Sequence, residues 1–416
     1  MNSAAAGLRW LMLPASAGPD AARLMTARGL RGFADGMVSV ILPAYLVASG
    51  FTPLQIGAIV TATLLGSAAV TLGTGLLAHT RSARTVLLAA CLLMLLTSVG
   101  FATATAFVPL LIIAFVGTLN PTAGDVSLFL PIEQSLLATA ASARDRTALY
   151  ARYNMIAAAA GAMGALASAV PVWLTHISGV ASIETMKLGF VVYGAVAIIV
   201  AFVYAGLDPR IGAPTSASPR APLARSRAIV LRLAALFTLD SFGGGFVAQS
   251  LLALWLFKRF DFSLATAAPF FFAATLLAGL SQLLSPVLAA RIGMIRTMVY
   301  THIPANLFLM LAALMPNATL SVIFLLLRMT LSSMDVPARQ AFVMAVVPPE
   351  ERAAAASVTN VPRSLGTGLA PLLSGWLLAH SLFGWPLLIG GALKIAYDLL
   401  LLMQFRRHDV DEDIPK

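Results

Sequence analysis

The sequence predicts an all-α membrane protein of 12 transmembrane helices in two pseudo-symmetric six-helix bundles, and three observations carry that reading. Of 416 residues, 59% are hydrophobic and 11% charged, with a mean hydropathy of +0.89, whereas a soluble domain holds about 45–50% apolar and about 25% charged residues. Runs free of Asp, Glu, Lys and Arg recur at 36–80, 85–124, 153–183, 188–207, 262–290, 297–327 and 364–393, lengths that suit spans of about 20 residues or pairs of them. Finally, a shift of 206 residues superposes Pro131 on Pro337, Gln134 on Gln340, Arg146 on Arg352 and Asn154 on Asn360, so the pattern Pro-x-x-Gln-x11-Arg-x7-Asn occurs twice. Such a parallel duplication is the arrangement in which a substrate site forms near the midplane between halves.

Taken in order, residues 1–28 read as a cytoplasmic tail, because the apolar run from Trp10 to Leu13 is too short for a signal peptide. Spans follow at 29–50, 54–79, 85–105, 107–137, 147–172 and 187–206, forming a bundle over 29–206. A charge at the bilayer centre costs at least about 2.5–3.5 kcal/mol, so charged residues mark the span ends. Turn signals divide the longer runs at Gly50-Phe51-Thr52-Pro53, Thr103-Ala104-Thr105, Met315-Pro316-Asn317-Ala318 and Phe383-Gly384-Trp385-Pro386. The stretch from Gly206 to Arg227 has four Pro, four Ser or Thr and four Arg. It reads as a flexible cytoplasmic linker over 207–228. The second bundle, 229–405, has spans at 229–257, 262–289, 297–315, 318–347, 353–381 and 384–405, and 406–416 is a cytoplasmic tail.

With the amino terminus inside, cytoplasmic segments carry 21 Lys and Arg against three outside, Lys187, Lys258 and Arg259. The positive-inside rule then places both termini in the cytoplasm of a cell with the chain in its inner (plasma) membrane. The same asymmetry accounts for the net charge of +10 without nucleic acid, since the cations form no basic stripe. Cys91 is the only cysteine, and five scattered histidines supply no paired ligand spacing. Metal and cofactor sites are therefore not expected, nor is an enzyme. No phosphate-binding glycine motif occurs, so ATP is not the direct energy source.

The segment Gly75-Leu76-Leu77-Ala78-His79-Thr80-Arg81-Ser82-Ala83-Arg84 resembles the signature loop of the major facilitator superfamily, Gly-x-Leu-Ala-Asp-Arg-x-Gly-Arg-Lys, with His79 in place of Asp. Pro349-Glu350-Glu351-Arg352 and Gly391-Ala392-Leu393-Lys394-Ile395-Ala396-Tyr397-Asp398 are similar to stretches common in its bacterial members. The small residues Gly161-Ala162-Met163-Gly164 in span five are similar to the antiporter motif of the superfamily but lack its Pro. The resemblance implies the 12-span fold and a central cavity lined by spans one, four, seven and ten.

Each of those four spans holds an acid: Asp35, Asp125, Asp240 and Asp335. An ionisable group inside the membrane needs a partner or a wet cavity, and an unpaired acid there suits a proton carrier. Asp35 and Asp240 are the first candidates for proton coupling, Asp125 and Asp335 the next. Arg31, one helical turn from Asp35, is placed to hold it ionised. Arg328 is expected to reach another helix's acid or a substrate anion, and Tyr45, Gln249, Asn306 and Asn360 could add hydrogen bonds in the cavity. Arg84, Glu133, Arg339, Arg146 and Arg352 are candidates for a cytoplasmic gate, Glu133 and Arg339 as a latch between halves. Lys394 and Asp398, four apart in span twelve, read as a local pair.

The expected function is secondary active transport of a small organic solute by alternating access, proton-coupled and efflux-like. Four acids against one or two cations favour a cationic, zwitterionic or amphipathic substrate. The expected partners are that substrate, protons and lipid, with the chain a monomer. A uniporter, a proton symporter importing a metabolite, and a transport-inactive sensor or scaffold remain as alternatives.

Overall fold

The computed structural model describes residues 18–77, 82–122, 128–139, 146–208, 225–348 and 351–405. Helices alone form its regular structure, with no strand among the described residues. In the first half of the chain these are α1 (Pro19–Ala48), α2 (Pro53–Leu77), α3 (Ala83–Thr103), α4 (Phe107–Val116), α5 (Phe129–Thr139), α6 (Arg146–Ala167), α7 (Val170–Ser178) and α8 (Ser182–Ala205). The second half has α9 (Arg227–Gly245), α10 (Gln249–Phe260), α11 (Leu264–Ser281), α12 (Ser285–Ile292), α13 (Met294–Leu314), α14 (Ala318–Met329), α15 (Asp335–Ala345), α16 (Arg352–His380) and α17 (Trp385–Phe405). Nine helical stretches among the described residues are long and apolar enough to cross a bilayer, and α4 and α14 are shorter apolar helices. The loop 78–81, which holds His79, lies outside the described residues.

Several spans expected as continuous are broken. The one over 107–137 stops at Gly117, with Asn120-Pro121 following, and helix resumes at Phe129. Its counterpart over 318–347 breaks between Met329 and Asp335. The seventh is interrupted after three successive glycines, Gly243 to Gly245, the eighth by a 3-10 turn before Pro286 and the fifth before Pro171. Glycine is a poor helix former and proline removes a backbone donor. Freed backbone groups at membrane depth need partners from elsewhere in the protein. The Ser250 amide donates to the Pro121 carbonyl at 3.2 Å, and the Ser285 hydroxyl donates to the Met334 carbonyl at 2.6 Å.

The end of the bundle away from Pro19 and Phe405 is drawn together by bonds within each half and by close backbone contact between them. Here the Tyr45 hydroxyl donates to the Ala104 carbonyl at 3.4 Å, and the Arg259 guanidinium reaches the carbonyls of Leu382 and Met315 at 3.2 and 3.4 Å. The two halves of the chain meet along α2 against α16 and α6 against α11. Glycines permit that approach: a Cβ on Gly57 would stand 2.5 Å from the Pro371 carbonyl oxygen, and one on Gly375 2.4 Å from that of Pro53. Close backbone contact of this kind is what packs helices where lipid is as apolar as the side chains. At the other end, α5 packs on α1, α3 and α6, and α15 on α12, α13 and α16, each within its own half. Glu351 there accepts from the amides of Arg225 and Ser226 at 3.0 and 3.1 Å, capping the start of α9 where the helix dipole favours an anion.

Candidate functional site

Two buried polar clusters occupy the interior, one in each half. In the first, Glu133 on α5 is fully buried and accepts hydrogen bonds from the Arg31 guanidinium on α1 and the Tyr153 hydroxyl on α6. The Tyr204 hydroxyl on α8 adds a third at 2.5 Å. A buried carboxylate is tolerable only when paired and hydrogen-bonded, and this one joins four helices. The Arg31 guanidinium stands over the Phe129 ring at 4.2 Å and that of Arg28 over Tyr153 at 5.1 Å. One turn along α1, Asp35 is 4% exposed and meets no cation within 4.0 Å among the described residues. Its hydrogen bond comes from the Asn120 amide at 3.5 Å, long for such a contact. Asn120 is itself oriented by the Thr122 amide and hydroxyl, which donate to its Oδ1 at 3.1 and 2.8 Å.

In the second half, Asp240 on α9 is as buried as Asp35 but heavily paired. Lys394 Nζ on α17 donates to Oδ1 at 2.6 Å, and Arg339 on α15 to Oδ2 at 3.2 Å. Arg339 also donates to Asp335 at 3.0 Å, one turn back on α15. His302 on α13 faces Lys394 through Nε2 at 3.5 Å, and Nδ1 faces both carboxylate oxygens of Asp398 at 2.9 and 3.1 Å.

The geometry places the candidate residues as follows. Asp240 and Asp335 are ion-paired with Lys394 and Arg339 inside the second half. The Arg31 guanidinium donates to Glu133, and Asp35 is bonded instead by Asn120. Glu133 and Arg339, the latch candidates, are each buried here and bonded to a partner in their own half. Lys394 and Asp398 are not a local pair: from one helix face they reach Asp240 and His302 separately. Tyr45 is tied to Ala104 at the closed end, and Asn306 is buried on α13 against α17, where its Nδ2 has no hydrogen-bond partner among the described residues. Gln249 bridges the halves, donating to Ser39 on α1 at 3.0 Å. Arg328, at the break after α14, has no acid within 4.0 Å among the described residues; its Nη1 points to the Met329 sulfur at 3.6 Å. Arg84 sits half-buried in the first turn of α3. Asp125 lies outside the described residues, as do the side chains of Arg146, Arg352 and Asn360. No group of three His, Cys, Asp or Glu suited to a metal occurs among the described residues.

Compared with known proteins, the chain matches the Major Facilitator Superfamily over residues 24–334. It belongs to that superfamily. An uncharacterized membrane protein of Saccharomyces cerevisiae is 25% identical over 411 residues, 90% of this chain and 92% of the relative. Among solved structures, the nucleoside transporter NupG is 16% identical with a TM-score of 0.71, covering 94% of this chain and 100% of that one. A bacterial homologue of the human lysosomal transporter Spinster, inward-facing and occupied, is 16% identical with a TM-score of 0.72, covering 94% of this chain and 97% of that one. At such identities the likeness is one of fold.

Within this superfamily member, the residues that sequence reasoning undervalued are Asn120, Tyr153, Tyr204, His302 and Lys394. The tyrosines carry no charge and lie on helices α6 and α8, so no periodicity links them to Glu133. For Lys394, a stronger signal was present: a lysine in mid-helix at membrane depth needs a partner. The intrahelical spacing to Asp398 supplied one too readily.

Proposed function

We propose that this superfamily member is a proton-coupled secondary transporter that moves a small organic solute out of the cell. Two six-helix halves, 29–206 and 229–405, rock about a central site, with both termini cytoplasmic in the inner (plasma) membrane. The observation that carries the coupling is Asp35: a buried acid on the first span with no cation within 4.0 Å among the described residues, held by one long hydrogen bond at the break of the fourth. Such a group costs more to keep charged than an ion-paired acid, so its protonation biases the two conformations. The closed end at Gly57 and Gly375, with α5 and α15 packed on their own halves, supports a state open toward the termini. Asp35 as an unpaired acid and Arg328 as an unpaired cation favour a zwitterionic or amphipathic solute within the wider class of cations and amphipaths.

The test is counterflow in proteoliposomes with a panel of zwitterionic and amphipathic amines under an imposed pH gradient. Wild type is expected to respond to the gradient, and Asp35→Asn to exchange solute while losing that response by at least about tenfold. An Asp35→Asn protein with an unchanged response removes Asp35 from the coupling.

A further inference from the structure

The second-half cluster carries an uneven charge. Asp240, Asp335 and Asp398 are buried to 4%, 4% and 0% exposure, and within their hydrogen-bonded chain Arg339 and Lys394 offset two of the three. Asp398 has His302 as its hydrogen-bond partner. A neutral imidazole would leave the carboxylate charge uncompensated at zero exposure, which is costly in a low-dielectric interior. One added proton on the ring brings that pair to neutrality.

The second ring nitrogen determines what that proton does. Against an ionised Asp398, Nδ1 must carry the proton and donate whether or not the ring is charged. Nε2 lies 3.5 Å from Lys394 Nζ and 3.9 Å from Asp240 Oδ1. With a neutral ring, Nε2 accepts from the ammonium, and Lys394 bridges Asp240 and His302. With a charged ring, Nε2 becomes a donor facing another cation, and both compete for the same Asp240 oxygen. Lys394 reaches that oxygen past Gly243 and Gly244, where added Cβ atoms would stand 3.1 Å from its Cγ and 3.5 Å from its Cε. The contest therefore sits against the glycine run at which the seventh span breaks.

The other polar groups in the shell come from every neighbouring element. Arg339 and Asp335 face Asp240 from α15, Arg328 lies beyond it on α14, and Arg363 on α16 donates to Ser241 at 3.1 Å. Tyr397 on α17, its hydroxyl buried without a hydrogen-bond partner among the described residues, packs edge-on to the His302 ring at 6.1 Å.

We propose that His302 is a second proton-binding site of the transport cycle, in which the bound proton and the Lys394 ammonium compete for Asp240, so that loading the ring loosens the tie between α9 and α17. This rests on the proton-coupled reading above but uses groups in the opposite half from Asp35.

The full chain in lipid nanodiscs, shifted from about pH 8 to about pH 5 in weak buffer with an indicator dye, reports protons taken up per protein across the range where an imidazole titrates. Wild type is expected to bind one more proton than His302→Gln. The accompanying change in amide exchange of α9 and α17 is expected to vanish in Lys394→Gln, which still takes up the proton. Equal uptake by wild type and His302→Gln overturns the site. An exchange pattern that ignores pH in wild type, or responds identically in Lys394→Gln, overturns the competition. If His302→Gln does not fold, Asp398→Asn replaces it: the carboxylate that requires the proton is gone, the same loss is expected, and unchanged uptake again overturns the site. Asp35→Asn run in parallel separates the two claims. A proton lost there but not at His302 sinks this site and spares the coupling role of Asp35, and the converse loss does the reverse.

Discussion

Glu133 and Arg339 stand 206 residues apart in sequence, each on the helix that follows a broken span, yet they carry opposite charge. The first helix of each half answers in kind: Arg31 on α1 meets Glu133, and Asp240 on α9 meets Arg339. Both halves thus have a buried ion pair joining their first and fourth spans, with its sign inverted. The difference teaches that neutrality, and not a particular acid or base, is what the dry interior demands at this joint. The surroundings then diverge. Two tyrosine hydroxyls complete the shell of Glu133, while Asp35 one turn away has the Asn120 amide as its side-chain partner among the described residues. Lysine, histidine and two further aspartates surround the second joint and leave a surplus carboxylate.

The largest expected effect distinguishes the joints by stability. Glu133→Ala strands Arg31 without its carboxylate and is expected to cost about 3–5 kcal/mol, read as a lowered midpoint in thermal unfolding of the purified chain. Lys394→Met should cost less, about 2 kcal/mol, because Asp240 keeps Arg339. If Lys394→Met proves the more damaging, the two joints do not differ in the way their partners indicate. Gly375→Val inserts methyl groups where even a Cβ would lie 2.4 Å from the Pro53 carbonyl oxygen. It is expected to cost about 1–2 kcal/mol and to raise thiol labelling of cysteines introduced at the closed end, and unchanged labelling would separate that contact from closure. The smallest effect is at Gln249→Leu, which removes the bond to Ser39 between halves. An interhelical hydrogen bond in a membrane averages about 0.6 kcal/mol, so a shift several times larger would mean that this contact does more between the halves than one hydrogen bond accounts for.

Much of the fold was legible in the chain. The turns at Gly50, Thr103, Met315 and Phe383 fall where helices end, because a polar or glycine-proline cluster between apolar runs has few other places to go. The breaks were less so. Hydropathy averages over about 20 residues, and Phe107 to Leu137 carries no charge apart from Asp125 and Glu133, so that average does not separate one helix from two. Whether the backbone can break depends on a partner such as the Ser250 amide, 129 residues from the Pro121 carbonyl it satisfies. The site divides in the same way. The presence of acids on the spans was plain, and their need for partners followed from the membrane. Which partner each found was not, since Lys394 and Asp398 share a helix face and still serve different neighbours.

The sequence by itself determined a helical membrane chain and which of its charges fall inside apolar runs, since hydrophobic length and charge placement are local properties that lipid reads directly. Only the tertiary structure decided that Asp240 and Asp335 are neutralised, that Glu133 is locked by Arg31 and two tyrosines, and that Asp35 is left with an amide. Charge pairing in a dry interior falls off within a few ångströms and so depends on which helices become neighbours, a choice made by glycine contacts and helix breaks spread over the whole chain.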